Sequence, residues 1–96
     1  MRVELSRAAA ADIARLRVTH SLPLDTGKRI KASLRVLEQF PRLGAELESP
    51  EWEGFRFLLG PWRWMVIVCE IDDDGERVVV VTVEDGRSSS AAIAAR

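Results

Sequence analysis

Ninety-six residues, 47% of them hydrophobic, suggest one domain with a small but real core, and no second domain is expected. Fourteen Lys and Arg stand against fifteen Asp and Glu, so the whole-molecule field makes no case for a polyanion partner. No run approaches the roughly eighteen apolar residues that span a bilayer, and the opening Met-Arg-Val-Glu-Leu-Ser does not read as a signal peptide. A cytoplasmic protein is the default expectation.

In chain order, Val3 and Leu5 alternate with Arg2 and Glu4, the period of a short strand with one buried face. Ser6 has the side chain of an N-cap. Residues 8–17 are rich in helix formers, and Ala9, Ile13 and Leu16 make one apolar stripe. Pro23 ends that segment, and Asp25-Thr26 offers a cap for a second helix running to about Phe40. Ile30, Leu34, Leu37 and Phe40 line its inner face, while Lys28, Arg29, Lys31 and Arg35 form a solvated one. Pro41 then breaks the helix and Gly44 allows a sharp exit.

Residues 45–53 are acidic and contain Pro50, which suits a surface loop, with Trp52 as the single large anchor. Packing onto the sheet edge is favoured for that ring over display to a partner. From 54 to 87, β-branched and aromatic runs read as three strands, punctuated by Gly60-Pro61 and by Asp73-Asp74-Gly75. Asp74-Gly75 suits the positive φ angles of a tight hairpin. One helical turn is expected over 91–96. The resulting fold class is α+β, ordered β-α-α-β-β-β, with a helical hairpin packed on a mostly antiparallel four-stranded sheet and a single domain over 1–96.

Charge is unevenly spread along this plan. Residues 1–42 carry nine basic and four acidic side chains, and residues 43–85 carry three basic and eleven acidic, so the cations sit mainly on the helices. Cys69 cannot form an internal disulfide and reads as a buried reduced thiol. His20, the only histidine, reads as a helix-end residue. Asp72-Asp73-Asp74 reads as a solvated turn, and no Cys/His cluster or glycine-rich phosphate loop is present. Neither metal nor cofactor is therefore expected.

Several strings, taken in order, resemble the RelE/ParE superfamily of type II toxin-antitoxin toxins. They are Val3-Glu4-Leu5-Ser6 before an Ala-rich helix with Asp12, Phe40-Pro41-Arg42-Leu43-Gly44, Phe55-Arg56, Gly60-x-Trp62-Arg63, the acidic turn from Asp72 to Gly75, and Gly86-Arg87. The resemblance implies a small bacterial toxin that inhibits growth and is neutralised by a cognate antitoxin. It also implies an essential target, DNA gyrase for ParE-like members, or ribosome-bound messenger RNA cleaved without a metal for RelE-like members. Homodimer and toxin-antitoxin hetero-oligomer are both compatible with it.

On that resemblance Arg56, Arg63 and Arg87 fall where RelE-like basic residues sit, and they are the catalytic candidates of the nuclease reading. The family cluster of Lys, Arg and Tyr is incomplete, because this chain has no Tyr, Leu58 replaces a second basic residue, and Ser88-Ser89-Ser90 follow Arg87. The ParE-like reading therefore leads, and a non-toxic, antitoxin-binding member of the fold is the third alternative. The same three arginines, with Trp52 and Trp62, are the partner-binding candidates. For Arg63 two readings stand: an ion pair with an acid of the 46–53 loop, or convergence with Arg56 and Arg87 on an anionic partner. An exposed sheet edge is expected to take an extended antitoxin segment, or a groove beside the helices to take an apolar helix.

Overall fold

The structure, a computed structural model, describes residues 1–87. The helical turn expected over 91–96 lies outside the described residues. Its longest strand, β5 (Arg77–Asp85), is dominated by valine, whose branched side chains suit a pleated, buried surface. On one side β5 takes β1 (Arg2–Leu5) in parallel, with Val3 opposite Val78 and Leu5 opposite Val80. On the other it takes β4 (Met65–Asp72) antiparallel. Then follow β3 (Phe55–Leu59) and the two-residue β2 (Ala45–Glu46), giving the order β1-β5-β4-β3-β2.

Three α-helices among the described residues join this sheet: α1 (Arg7–Thr19), α2 (Thr26–Leu34) and the single turn α3 (Val36–Gln39). Ser6 caps α1 as expected. Its hydroxyl accepts the Ala9 N–H at 3.0 Å and donates to the Val81 carbonyl at 3.1 Å, tying the helix start to β5. Ala9, Ile13 and Leu16 of α1 and Ile30, Leu34 and Leu37 of the α2–α3 arm are buried against Met65, Ile67, Cys69, Val78, Val80 and Val83. That arrangement is the α+β helical hairpin on a sheet. Burial in it pushes the Cys69 thiol up to about 12, so the sulfur stays protonated and inert.

Several local expectations give way to particular contacts. The sheet has five strands, because Ala45 and Glu46, expected in a loop, pair with Phe57 and Arg56. Asp25 does not cap α2 with its side chain, since its carboxylate turns to Arg29 at 3.0 Å. Arg35 N–H reaches the Ala32 carbonyl, three residues back, so the second helix is interrupted there before resuming to Gln39. Phe40 does not line the inner face. It has left the helix (φ -126°, ψ 71°), and its ring is 59% exposed.

The last hairpin is also wider than the tight two-residue turn expected. Asp72 and Arg77 are its final pair, residues 73–76 form the loop, and the positive φ falls on Glu76. The Asp72 carboxylate accepts the Gly75 N–H at 3.0 Å and the Arg77 Nε–H at 2.9 Å, which stabilises the longer loop.

The sheet's second face carries its own small core. Val66 and Val68 of β4 pack there with Leu47, Phe55, Phe57, Val81 and Trp52. β4 is therefore buried on both faces from Met65 to Cys69.

A bulge in β5 sets the edge geometry. Cys69 lies opposite Val80 and Val68 opposite Thr82, leaving Val81 without a partner across the ladder. Beyond it β1 has ended, so the outer edge of β5 lacks a strand. Asp12 of α1 fills that place: its Oδ2 accepts the Thr82 hydroxyl at 2.7 Å and the Val83 N–H at 3.1 Å. Asp12→Ala is expected to destabilise the fold by about 1–3 kcal/mol, because it orphans the N–H of buried Val83. Arg15→Ala, which removes only the exposed partner of Asp12, should cost less than about 0.5 kcal/mol. Urea unfolding of both variants measures the contrast.

Candidate functional site

Two places on this frame gather the candidate residues. One is the end of the sheet where β3 turns into β4 and β5 finishes. Gly60 donates to the Met65 carbonyl at 3.0 Å and Met65 donates to the Trp62 carbonyl at 2.9 Å, so residues 61–64 form a turn and the strand starts at Met65. Arg63 therefore escapes the strand alternation and stands exposed, while Trp62 and Trp64 are half-buried against the helix-side core. Gly86 closes the other side. It donates to the Trp64 carbonyl, and a Cβ there would stand 2.8 Å from Val66 Cγ2, so only glycine permits the close approach.

The C-terminus of α1 reaches the same spot. The His20 ring stacks on Trp64 with centroids 4.4 Å apart and an 18° interplanar angle, and Trp62 stacks on Trp64 at 6.5 Å. His20 Nε2 lies 2.9 Å from Asp85 Oδ2, and Nδ1 lies 2.8 Å from Thr19 Oγ1. Asp85 also accepts from Arg87 Nε at 3.0 Å, Nη2 at 2.8 Å and the Arg87 backbone N–H at 2.9 Å. The Arg87 guanidinium lies 5.5 Å from the Trp64 ring centre. These bonds from Arg87, and then the one from His20, hold the Asp85 carboxyl far below the usual carboxylate range.

Of the sequence-nominated residues, Arg63, Arg87 and Trp62 meet here. Arg56 does not. It lies opposite Cys69, four residues along β4 from Met65, which is about 13 Å at strand spacing. Its guanidinium donates to the carbonyls of Arg42 at 3.1 Å and Gly44 at 2.8 Å, and to Glu46 at 3.1 Å. Arg56, rather than Arg63, thus makes the ion pair with an acid of the 46–53 loop. Arg63 makes no ion pair among the described residues. Trp52 packs inward, edge-on to Phe55 at 5.3 Å, on the face away from the helices.

The His20–Asp85 bond was not foreseeable from spacing, since its partners lie 65 residues apart. The signal available was a histidine at a predicted helix end, which fixes where the ring starts and not what it meets.

The second place is a groove of about 520 Å³ between β1 and the helical arm, lined by Val3, Glu4, Leu5, Lys31, Leu34, Arg35 and Glu38. β1 is the terminal strand of the sheet, paired on one side only. Val3, Leu5 and Leu34 give it apolar surface, and Lys31 and Arg35 share the lining with Glu4 and Glu38.

This fold is shared with toxin-antitoxin proteins. The chromosomal ParDE toxin-antitoxin system of P. aeruginosa superposes with a TM-score of 0.66 at 20% identity, over 88% of this chain and 95% of that one. The RelBE2 toxin-antitoxin complex of Mycobacterium tuberculosis gives 0.60 at 20% identity, over 88% of each chain. No curated protein sequence matches the chain. The family model for the ParE toxin of the type II toxin-antitoxin system parDE matches residues 3–89. The chain belongs to that family, and is thereby a toxin of the type II class.

Two outcomes follow from this geometry. Arg56→Ala should destabilise the fold by about 1–3 kcal/mol through lost hydrogen bonds to the 42–46 segment, whereas Arg63→Ala should stay within about 0.5 kcal/mol. Thermal melts distinguish them. The Asp72 carboxyl is also lowered, chiefly by the Arg77 side-chain hydrogen bond. Carboxyls lowered on folding stabilise above their unfolded range and lose that contribution as pH falls through the folded values. Stability should therefore decline below about pH 4, and Asp85→Asn should decline less steeply, as read from urea midpoints at pH 6 and pH 3.

Proposed function

We propose that this toxin arrests growth by binding an essential protein target, with DNA gyrase the candidate implied by the family, and that a cognate antitoxin silences it. The observation that carries the antitoxin half is the groove beside β1. An extended segment can add to the open strand edge, set apolar side chains on Val3, Leu5 and Leu34, and meet Lys31 and Arg35 with carboxylates. The turn that exposes Arg63, with Arg87 and Trp62 beside it, is the best-placed surface for the target. Arg56 and Trp52 act by holding the 42–53 segment in place.

Binding is favoured over RNA cleavage. General acid-base chemistry on a ribose hydroxyl needs groups that take and return a proton. The chain has no tyrosine, and Arg56 is committed to backbone carbonyls.

Expression without the antitoxin should stop growth, and the purified chain should lower supercoiling by gyrase in vitro. Growth arrest with normal supercoiling would remove gyrase as the target, new message ends would establish the ribonuclease, and unimpeded growth would mark a non-toxic member. The charge-reversed pair Lys31→Glu and Arg35→Glu should weaken antitoxin binding on the order of tenfold or more in calorimetry.

A further inference from the structure

We infer that the acidic 47–53 segment of one copy of this chain docks on the basic groove between α1 and α2 of a second copy, so that molecules stack head to tail at low ionic strength. The inference goes beyond the antitoxin and target contacts and does not rest on them.

Folding sorts the charges onto opposite sides of the sheet. The outer side of the helical layer carries Arg7, Arg17, Lys28, Lys31 and Arg35, all exposed and none in an ion pair among the described residues. Arg15 and Arg29 on the same layer are matched by Asp12 and Asp25. On the helix-free side stand Glu48, Glu51, Glu53 and Glu70, exposed and likewise outside any ion pair among the described residues. Leu47 and Trp52 fix the 47–53 segment onto that side, and Glu70 shares it with Val66 and Val68 by strand alternation. Arg2 and Arg77, cations of the same side, are matched by Glu4 and Asp72.

The shapes correspond as well as the charges. Between the two helices the small residues Ala10, Ala14 and Gly27 line a groove of about 470 Å³, and Arg17 and Lys28 stand in it beside Leu24. A Cβ at Gly27 would meet nothing within 4 Å, so there is room above α2. Leu24 is 88% exposed, which gives the groove an uncovered apolar wall. Its one acid, Asp25, is spent on Arg29. The 47–53 segment is the complement: three glutamates on a chain held in shape by the turn Pro50–Trp52, with the Trp52 N–H on the Ser49 carbonyl at 2.9 Å. A net charge of -1 leaves little long-range repulsion between copies. A nucleic acid fits less well, because residues 7–35 contain no Phe, Trp or Tyr for a base to stack on and the chain as a whole is slightly acidic. Since donor and acceptor surfaces lie on opposite sides, the contact is heterologous, and each copy offers a free face to the next.

Sedimentation equilibrium of the purified chain at neutral pH reads the contact. At about 20 mM NaCl the weight-average mass should climb with concentration past that of a dimer, and at about 500 mM NaCl, where screening is strong, it should return to the 10.7 kDa monomer. Lys28→Glu and Glu51→Lys should each weaken association about tenfold. Asp74→Lys makes the same charge change as Glu51→Lys in the exposed hairpin loop, and should leave association at the wild-type level. All three positions are exposed, and far-UV circular dichroism checks that each variant is folded. The stack is overturned by a chain that stays monomeric at low salt, or by equal losses in Glu51→Lys and Asp74→Lys. Association that high salt does not reduce also overturns it, and would point to the exposed Phe40 and Leu43 instead. A low-salt monomer that binds a random-sequence DNA duplex would give the basic groove to nucleic acid and remove the second copy from it.

Discussion

Everything in this molecule is fastened to the last strand. β5 pairs with β1 on one side and β4 on the other, takes the Ser6 hydroxyl at Val81, and receives Asp12 at Thr82 and Val83 and His20 at Asp85. Its outer edge is covered first by a strand and then by helix side chains. The bulge at Val81 marks the change between the two. That arrangement lets a very short β1 suffice, because α1 continues the work of edge protection that the strand leaves unfinished.

The same strand explains why the two proposed surfaces are separate. Its beginning lies beside β1, where the groove with Lys31 and Arg35 opens. Its end lies beside the 61–64 turn, where Arg87, Asp85, His20 and Trp64 meet. Nine residues of extended chain put about 30 Å between them. A silencing partner at one end need not cover the other.

Period and composition carried most of the architecture. The α1 stripe of Ala9, Ile13 and Leu16, the Ser6 cap and the element order are local patterns, and local patterns survive folding when one face meets a core. What escaped was set by contacts between distant segments. Ala45 and Glu46 become a strand because Arg56 and the backbone of β3 hold them, and nothing in an acidic, proline-bearing stretch announces that. Arg63 left the strand because a turn hydrogen bond from Met65 to Trp62 moved the strand start to Met65, which removed it from the alternation. The candidate site was half legible for the same reason. Three candidate arginines could be picked out of the chain, but whether a guanidinium is free or spent on carbonyls depends on neighbours the spacing does not reveal.

The parallel seam between β1 and β5 joins segments far apart in the sequence, with Arg2 opposite Arg77. A seam of that sequence separation closes late and slowly, since the loop must be brought together before the contacts repay it. A nascent chain that stops before β5 has neither the anchor for α1 nor the flank that orders β1. The edge beside β1 and the turn that exposes Arg63 thus form only once β4 and β5 are in place, and a product truncated before those strands carries neither.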